Sequence, residues 1–137
     1  MKNETLCAVG YTVAALTANS TVNTAVGGRV YFGVAPEAAA FPFVLIQLYG
    51  DPEITSYQHG PVLAQVDLSV RVVTDSRPAA VATAADALDT ALRTETPVTR
   101  SDGIVSACEK VRGQLLTEGS TGRTLHYVGG VYRVTVT

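Results

Sequence analysis

Hydrophobic and polar residues alternate strictly from Ala64 to Val72, within a Val62–Val73 stretch that reads VLAQVDLSVRVV. Ala64, Val66, Leu68, Val70 and Val72 fall on one side of this pattern; Gln65, Asp67, Ser69 and Arg71 fall on the other. Successive side chains of a strand point to opposite faces, so the pattern predicts a strand with one wet face and one face on a core. The period then changes. In Pro78–Arg93 (PAAVATAADALDTALR), Val81, Ala85, Leu88 and Leu92 recur at helical spacing, the stripe of a helix laid on an apolar surface. The two segments together predict a helix packed on the dry face of an antiparallel sheet.

The same reading extends along the chain. Leu6, Val9, Val13 and Leu16 make a helical stripe from about Asn3 to Ala18, and Asn19-Ser20 breaks it. Ser20 is placed to cap a short further helix through Val26, and Gly27-Gly28 supplies the positive-φ freedom of a C-terminal cap. Arg29–Val34 reads as a short strand and Ala35–Ala40 as a loop or single turn. Pro42–Gly50 (PFVLIQLYG) is apolar, aromatic and β-branched, which suggests a central strand with Pro42 at its first position. Asp51–Pro61 is a short edge strand or a protruding loop. Asp75 or Ser76 is placed to cap the Pro78–Arg93 helix, and Pro97 follows its end. Ile104–Arg112 and Leu125–Thr137 alternate around the turn-rich Thr117–Arg123, which predicts an antiparallel hairpin. Gly129-Gly130 within its second arm marks a bulge or a close backbone approach. Strands separated by so few helices predict an α+β domain over residues 1–137, a mostly antiparallel sheet with both helices on one face.

Composition narrows the picture. Of the 137 residues, 47% are hydrophobic and only 16% charged, well below the roughly 25% charge of an ordinary domain. With no membrane span in the sequence, extra apolar surface buried between subunits explains the imbalance. A net charge of −2 and scattered arginines exclude a basic nucleic-acid footprint. DNA that merely passes through an assembly needs no such footprint. Leu6–Leu16 is short for a signal-peptide core and has Glu4 directly before it, so no leader is expected.

No catalytic set emerges. Ser56, Ser69, Ser101 and Ser106 lack a nucleophile elbow, and Gly119–Gly122 lacks the Gly-Lys-Ser/Thr end of a P-loop. Asp86 and Asp89 lie off the apolar stripe, on a solvated face. Cys7 and Cys108 read as two small buried hydrophobes rather than a disulfide, and His59 and His126 are isolated, so neither metal nor cofactor is expected. Tyr49, Tyr57, Tyr127 and Tyr132 are spread over strands and the central loop, where tyrosine serves interfaces or the rim of a core.

Four segments in order carry a family resemblance: an apolar N-terminal helix, Val26-Gly-Gly-Arg-Val-Tyr31, a Pro-containing loop, and Phe41-Pro-Phe-Val-Leu-Ile46. The continuation through Gln65–Val72, an Ala-rich helix and Tyr132-Arg-Val-Thr-Val136 fits the same order. The chain resembles the tail-completion, or tail-terminator, proteins of long-tailed bacteriophages over nearly its whole length. The resemblance implies a structural, non-enzymatic protein that forms a ring, usually hexameric. The ring caps the tail tube, stops its polymerisation and meets the head-side connector. It implies assembly in the bacterial cytoplasm, residence in the virion, and genomic DNA only as passing cargo, with no membrane partner. Tyr57, His59, Arg123 and His126 are the residues expected at inter-subunit, tube or connector contacts. Two alternatives stand beside it. Another small neck or tail component, a head-closure protein or a tube subunit, is one, although a tube subunit needs a long hairpin and Asp51–Pro61 and Gly113–Arg123 are both short. The other is a small α+β enzyme or ligand-binding dimer, with a pocket between the Pro78–Arg93 helix and the sheet holding Cys108 or a histidine.

Overall fold

The structure is a computed structural model that describes residues 4–50, 53–56, 62–120 and 123–137. Among the described residues, seven strands form one sheet: β1 (Val30–Phe32), β2 (Phe43–Leu48), β3 (Glu53–Ser56), β4 (Val62–Thr74), β5 (Val98–Arg100), β6 (Gly103–Ser120) and β7 (Arg123–Val136). Their order is β1-β2-β4-β7-β6-β5, and β3 pairs with the start of β4. Every pairing is antiparallel except β1 with β2. Helices α1 (Glu4–Ala18), α2 (Ser20–Val26) and α3 (Ala82–Leu92) pack together against one face. This is the α+β arrangement expected from the alternation.

β4 sits at the middle of the core, as its pattern predicts. Ala64, Val66, Leu68, Val70 and Val72 are all fully buried, the last four in the core shared with the helices. Burying one such Val or Leu stabilises the fold by about 1.5–3 kcal/mol, so this row anchors the sheet. Val44 and Ile46 of β2 and Tyr132, Val134 and Val136 of β7 extend the same layer on either side. The parallel β1–β2 pair is unexpected from sequence. The stretch between them is long enough to carry the chain back to the same end of the sheet.

Four details correct the sequence reading. The buried side of α1 is Cys7, Ala8, Tyr11, Thr12 and Leu16, whereas Leu6 is 62% exposed. The helix is turned so that two polar residues face the core because both are satisfied there. The Tyr11 hydroxyl donates to the Leu92 carbonyl at 2.7 Å, and Thr12 Oγ1 donates to the Ala8 carbonyl at 2.9 Å. Asn19, not Ser20, caps α2, its Oδ1 accepting from the Val22 amide at 3.0 Å. Gly27 does close α2 in the left-handed conformation, φ 60°. Neither Asp75 nor Ser76 caps the next helix. It opens with a 3-10 turn (Pro78–Val81) that starts from Arg77 with no side-chain cap, Pro78 supplying the preset φ.

The fourth correction concerns the hairpin. Thr117–Ser120 is strand rather than turn, paired with Arg123–His126, so β6 and β7 form a long two-stranded arm. The two register irregularities lie in β6, at Ser106 and Val111, not at Gly129-Gly130. The glycines instead allow a close approach. A Cβ on Gly129 would fall 2.1 Å from the Val70 carbonyl oxygen, and one on Gly130 would fall 2.5 Å from that of Arg112. β7 is pressed between β4 and the bulged part of β6, and only glycine fits there.

Candidate assembly surface

The helices cover one face of the sheet; the other carries a mesh of polar and aromatic side chains. Odd-numbered residues of β4 point to this outer face, as do their partners on β7 and β2. Arg133 forks onto Asp67 with N–O distances of 3.0 and 3.3 Å, and Ser69 donates to Gln114 at 2.8 Å. Arg71 donates to Gln47 and lies over the Tyr127 ring at 4.9 Å. Burial pulls the Arg71 guanidinium down from its ordinary value, with Tyr127 and Glu118 acting in the opposite direction. Tyr127 in turn donates to Glu118 at 2.8 Å. Arg112 donates to the Tyr49 hydroxyl and stacks 4.8 Å over that ring. Each exposed pair of this kind contributes only about 0.2–1 kcal/mol, so the mesh orients side chains more than it stabilises the fold.

One end of the outer face is apolar. Phe43, Leu45 and Val73 form a small second cluster with Tyr31, Phe41 and Tyr127 packed around it. The Phe41 and Phe43 rings are 5.3 Å apart, and Tyr31 meets Phe43 edge-on at 5.6 Å. Arg123 covers the Phe41 ring at 5.2 Å. A hollow of about 310 Å³ opens beside the cluster, under the Gly33–Phe41 loop.

The lateral edges of the sheet differ from each other. β5 pairs only with Gly103–Val105 of β6, and Thr94 bridges to Cys108. From Glu109 onward, among the described residues, β6 has β7 on one side and no strand on the other. That free edge carries Val111 (45% exposed), Leu115 (64%) and Leu116 (46%). Leu115 lies on the helix side of the arm and Leu116 on the outer side, so this part of the sheet is apolar and open on both faces. At the opposite end, Phe32 and Val34 beside β1 are exposed as well. A free strand edge with exposed apolar side chains is a template for pairing.

The residues singled out from sequence do not converge. Arg123 and His126 both lie on the outer arm of β7, but on opposite faces. His126 Nδ1 sits 3.1 Å from Thr117 Oγ1, its cross-strand neighbour. Tyr57 and His59 lie outside the described residues. Tyr49 and Tyr127 belong to the outer mesh, whereas Tyr132 is buried in the core. Arg71, Arg112 and Glu118 were not singled out. Arg112 meets Tyr49 across 63 positions of sequence, a juxtaposition for which the chain offers no local signal.

The enzyme alternative expects a pocket between the Pro78–Arg93 helix and the sheet that holds Cys108 or a histidine. The groove beside the Pro78–Val81 turn, about 610 Å³, is lined by Ser, Thr, Ala, Val and Pro residues of α2, β2's approach and α3, without Cys108 or a histidine. Cys7 and Cys108 are free and buried. Burial, helped by Glu109 and Asp89, pushes the Cys108 thiol up to about 12, the reverse of an activated nucleophile. Burial and Asp102 push Cys7 up to about 11. Among the described residues no group of His, Cys, Asp and Glu could hold a metal ion, and no helix is long and apolar enough to cross a membrane.

Comparison with known proteins supplies what the geometry alone does not. Residues 12–136 match the family described as tail completion protein gp17. The chain belongs to this family. It is accordingly a structural component of a phage tail and of the virion. The fold is shared with a chain from the virion of a native gene transfer agent particle, at TM-score 0.70 and 22% identity, covering 91% of this chain and 90% of that one. No curated protein sequence matches the chain.

Proposed function

We propose that this tail completion protein is a tail terminator, a single domain whose copies form a ring, hexameric as the family resemblance implies, on the end of the tail tube. The ring blocks addition of further tube subunits and presents its other face to the head-side connector, and DNA passes through its opening. The protein assembles in the bacterial cytoplasm, acts by shape rather than by catalysis, and requires no cofactor. The family match across residues 12–136 carries this reading.

The two sheet ends support it. Head-to-tail contact between identical subunits needs two different surfaces on each copy, and closes a ring when the rotation fits. Phe32 and Val34 at one end and Val111, Leu115 and Leu116 at the other offer such a pair. Arg123 and His126 at the end of the β6–β7 arm, with Tyr57 and His59, are the proposed contacts to neighbours, tube or connector.

The experiment is negative-stain microscopy of labelled protein mixed with purified tail tubes. Label confined to one end, with tube length held fixed, is the expected result. The length of the β6–β7 arm favours one other role, a tube subunit, which label along the whole tube would reveal. Absence of any binding would remove both.

A further inference from the structure

The free edge of β6 is self-complementary. In antiparallel pairing of two copies across this edge, the two-fold axis stands normal to the sheet, and opposed residues must share a face. Beyond the bulge at Val111, Arg112, Gln114, Leu116 and Glu118 point to the outer face, opposite Val131, Gly129, Tyr127 and Leu125 of β7. Gly113, Leu115 and Thr117 point to the helix side. One register centres on Leu115 and sets each Leu115 against its copy. The same register sets Arg112 opposite Glu118 twice, once on each side of the axis, and Gln114 beside Leu116. Shifting by two residues in either direction loses both charge pairs, and a shift by one violates the facing rule.

We propose that, away from the tail tube, two copies of this chain pair along the β6 edge in this register. The occupant is a second copy because the edge supplies both halves of its own complement, in charge and in apolar contact. Arg112 keeps capacity for the contact while holding Tyr49, since a guanidinium carries five N–H donors. Glu118 accepts from Tyr127 through Oε2, and a carboxylate has a second oxygen with which to accept. Leu115 and Leu116, exposed on opposite faces, are covered together at the axis.

Size sets the strength of this pairing. Residues 111–119 span about 30 Å of strand, and a sheet is about 10 Å thick, so each copy contributes on the order of 300 Å². That lies well below the ~800 Å² per partner of a stable complex. The dimer is therefore concentration-dependent and readily displaced. Its use is to hide an aggregation-prone edge until the tube end offers a better partner, and head-to-tail assembly then consumes the same edge. This use rests on the terminator reading, whereas the pairing itself concerns the free chain and is tested without tail tubes.

The test is sedimentation of the free full-length protein over a wide concentration range, with charge reversals. The wild type gives a concentration-dependent dimer. Arg112→Glu and Glu118→Arg each weaken it about tenfold or more, because like charges then oppose each other twice. The double reversal Arg112→Glu/Glu118→Arg restores dimerisation, a recovery that a merely structural role for either residue does not give. Since Arg112 also holds Tyr49, Leu115→Cys provides a second arm: alone, under mild oxidation, it forms a covalent dimer, while buried Cys7 and Cys108 stay unreactive. A wild type that is monomeric at every concentration overturns the proposal. So does an oligomer that neither responds to the reversals nor cross-links through Leu115→Cys.

Discussion

The β6–β7 arm has two halves that obey different rules. At its root, Val105 and Cys108 of β6 and Tyr132, Val134 and Val136 of β7 lie beneath α1 and α3, in the main core. Towards its tip, β6 carries Leu115 and Leu116 into solvent, with no strand on its other edge among the described residues. Hydrogen bonding between the strands continues through both halves. What differs is the third layer. The helices end over the root, so apolar residues there stabilise the subunit, whereas apolar residues at the tip wait for another surface. One hairpin thus joins the stable part of the molecule to the part available for assembly.

The most severe way to break the contrast is at the root layer itself. Val66→Asp puts a carboxylate among fully buried aliphatic residues, at a cost of at least about 4 kcal/mol. Folded protein should disappear from expression trials, and a normal melting profile would refute the assigned strand register. Gly129→Ala strikes where the two halves meet. Its Cβ would overlap the Val70 carbonyl at 2.1 Å, backbone against backbone, which should cost about 2–4 kcal/mol in denaturant unfolding.

Alkaline titration reports on the layer beneath the helices. Burial raises Cys7 from 9.0 to about 11, Cys108 from 9.0 to about 12 and Tyr11 from 10.0 to about 12. The folded state therefore holds these protons more tightly than the unfolded chain. The stabilisation is complete below about pH 9 and is lost as pH rises through 11 to 12. Thermal melts should be flat with respect to these groups from pH 7 to 9 and fall beyond. A melting temperature unchanged at pH 11 would contradict their burial.

Changes at the tip should separate stability from assembly. Leu115→Ser removes an exposed side chain and should move unfolding by less than about 0.5 kcal/mol, while labelling of tube ends falls. Loss of both together would place Leu115 in the core. Smallest of all, Asp86→Ala on the exposed side of α3 should leave unfolding and tube binding unchanged within about 0.5 kcal/mol. A measurable loss of binding would identify the helix layer as a further contact surface.

Much of this was legible in the chain because it is local. Period-two alternation placed Ala64–Val72 correctly on its two faces, and Gly27 closed α2 as its conformational freedom predicts. The family followed from the order and spacing of segments, and residues 12–136 bear it out. The missed features depend on distant partners. Tyr11 turns inward because the Leu92 carbonyl, 81 positions away, accepts its hydroxyl, and α1 rotates with it to expose Leu6. The surface mesh was hidden for the same reason, since Arg71–Gln47, Arg133–Asp67 and Arg112–Tyr49 meet across strands far apart in sequence.

The sequence by itself determined the periods of its elements, the apolar face of β4, the caps that glycine allows and the poverty of catalytic groups. Each follows from neighbours within a turn or a strand. Tertiary structure decided which strands lie beside which, and with that the parallel β1–β2 pair, the squeeze at Gly129-Gly130 and the unpaired length of β6. Backbone hydrogen bonds are the same for every residue, so pairing is chosen by how side chains of the whole chain fill the space beneath three helices. Where the helices stop, that choice leaves an open edge.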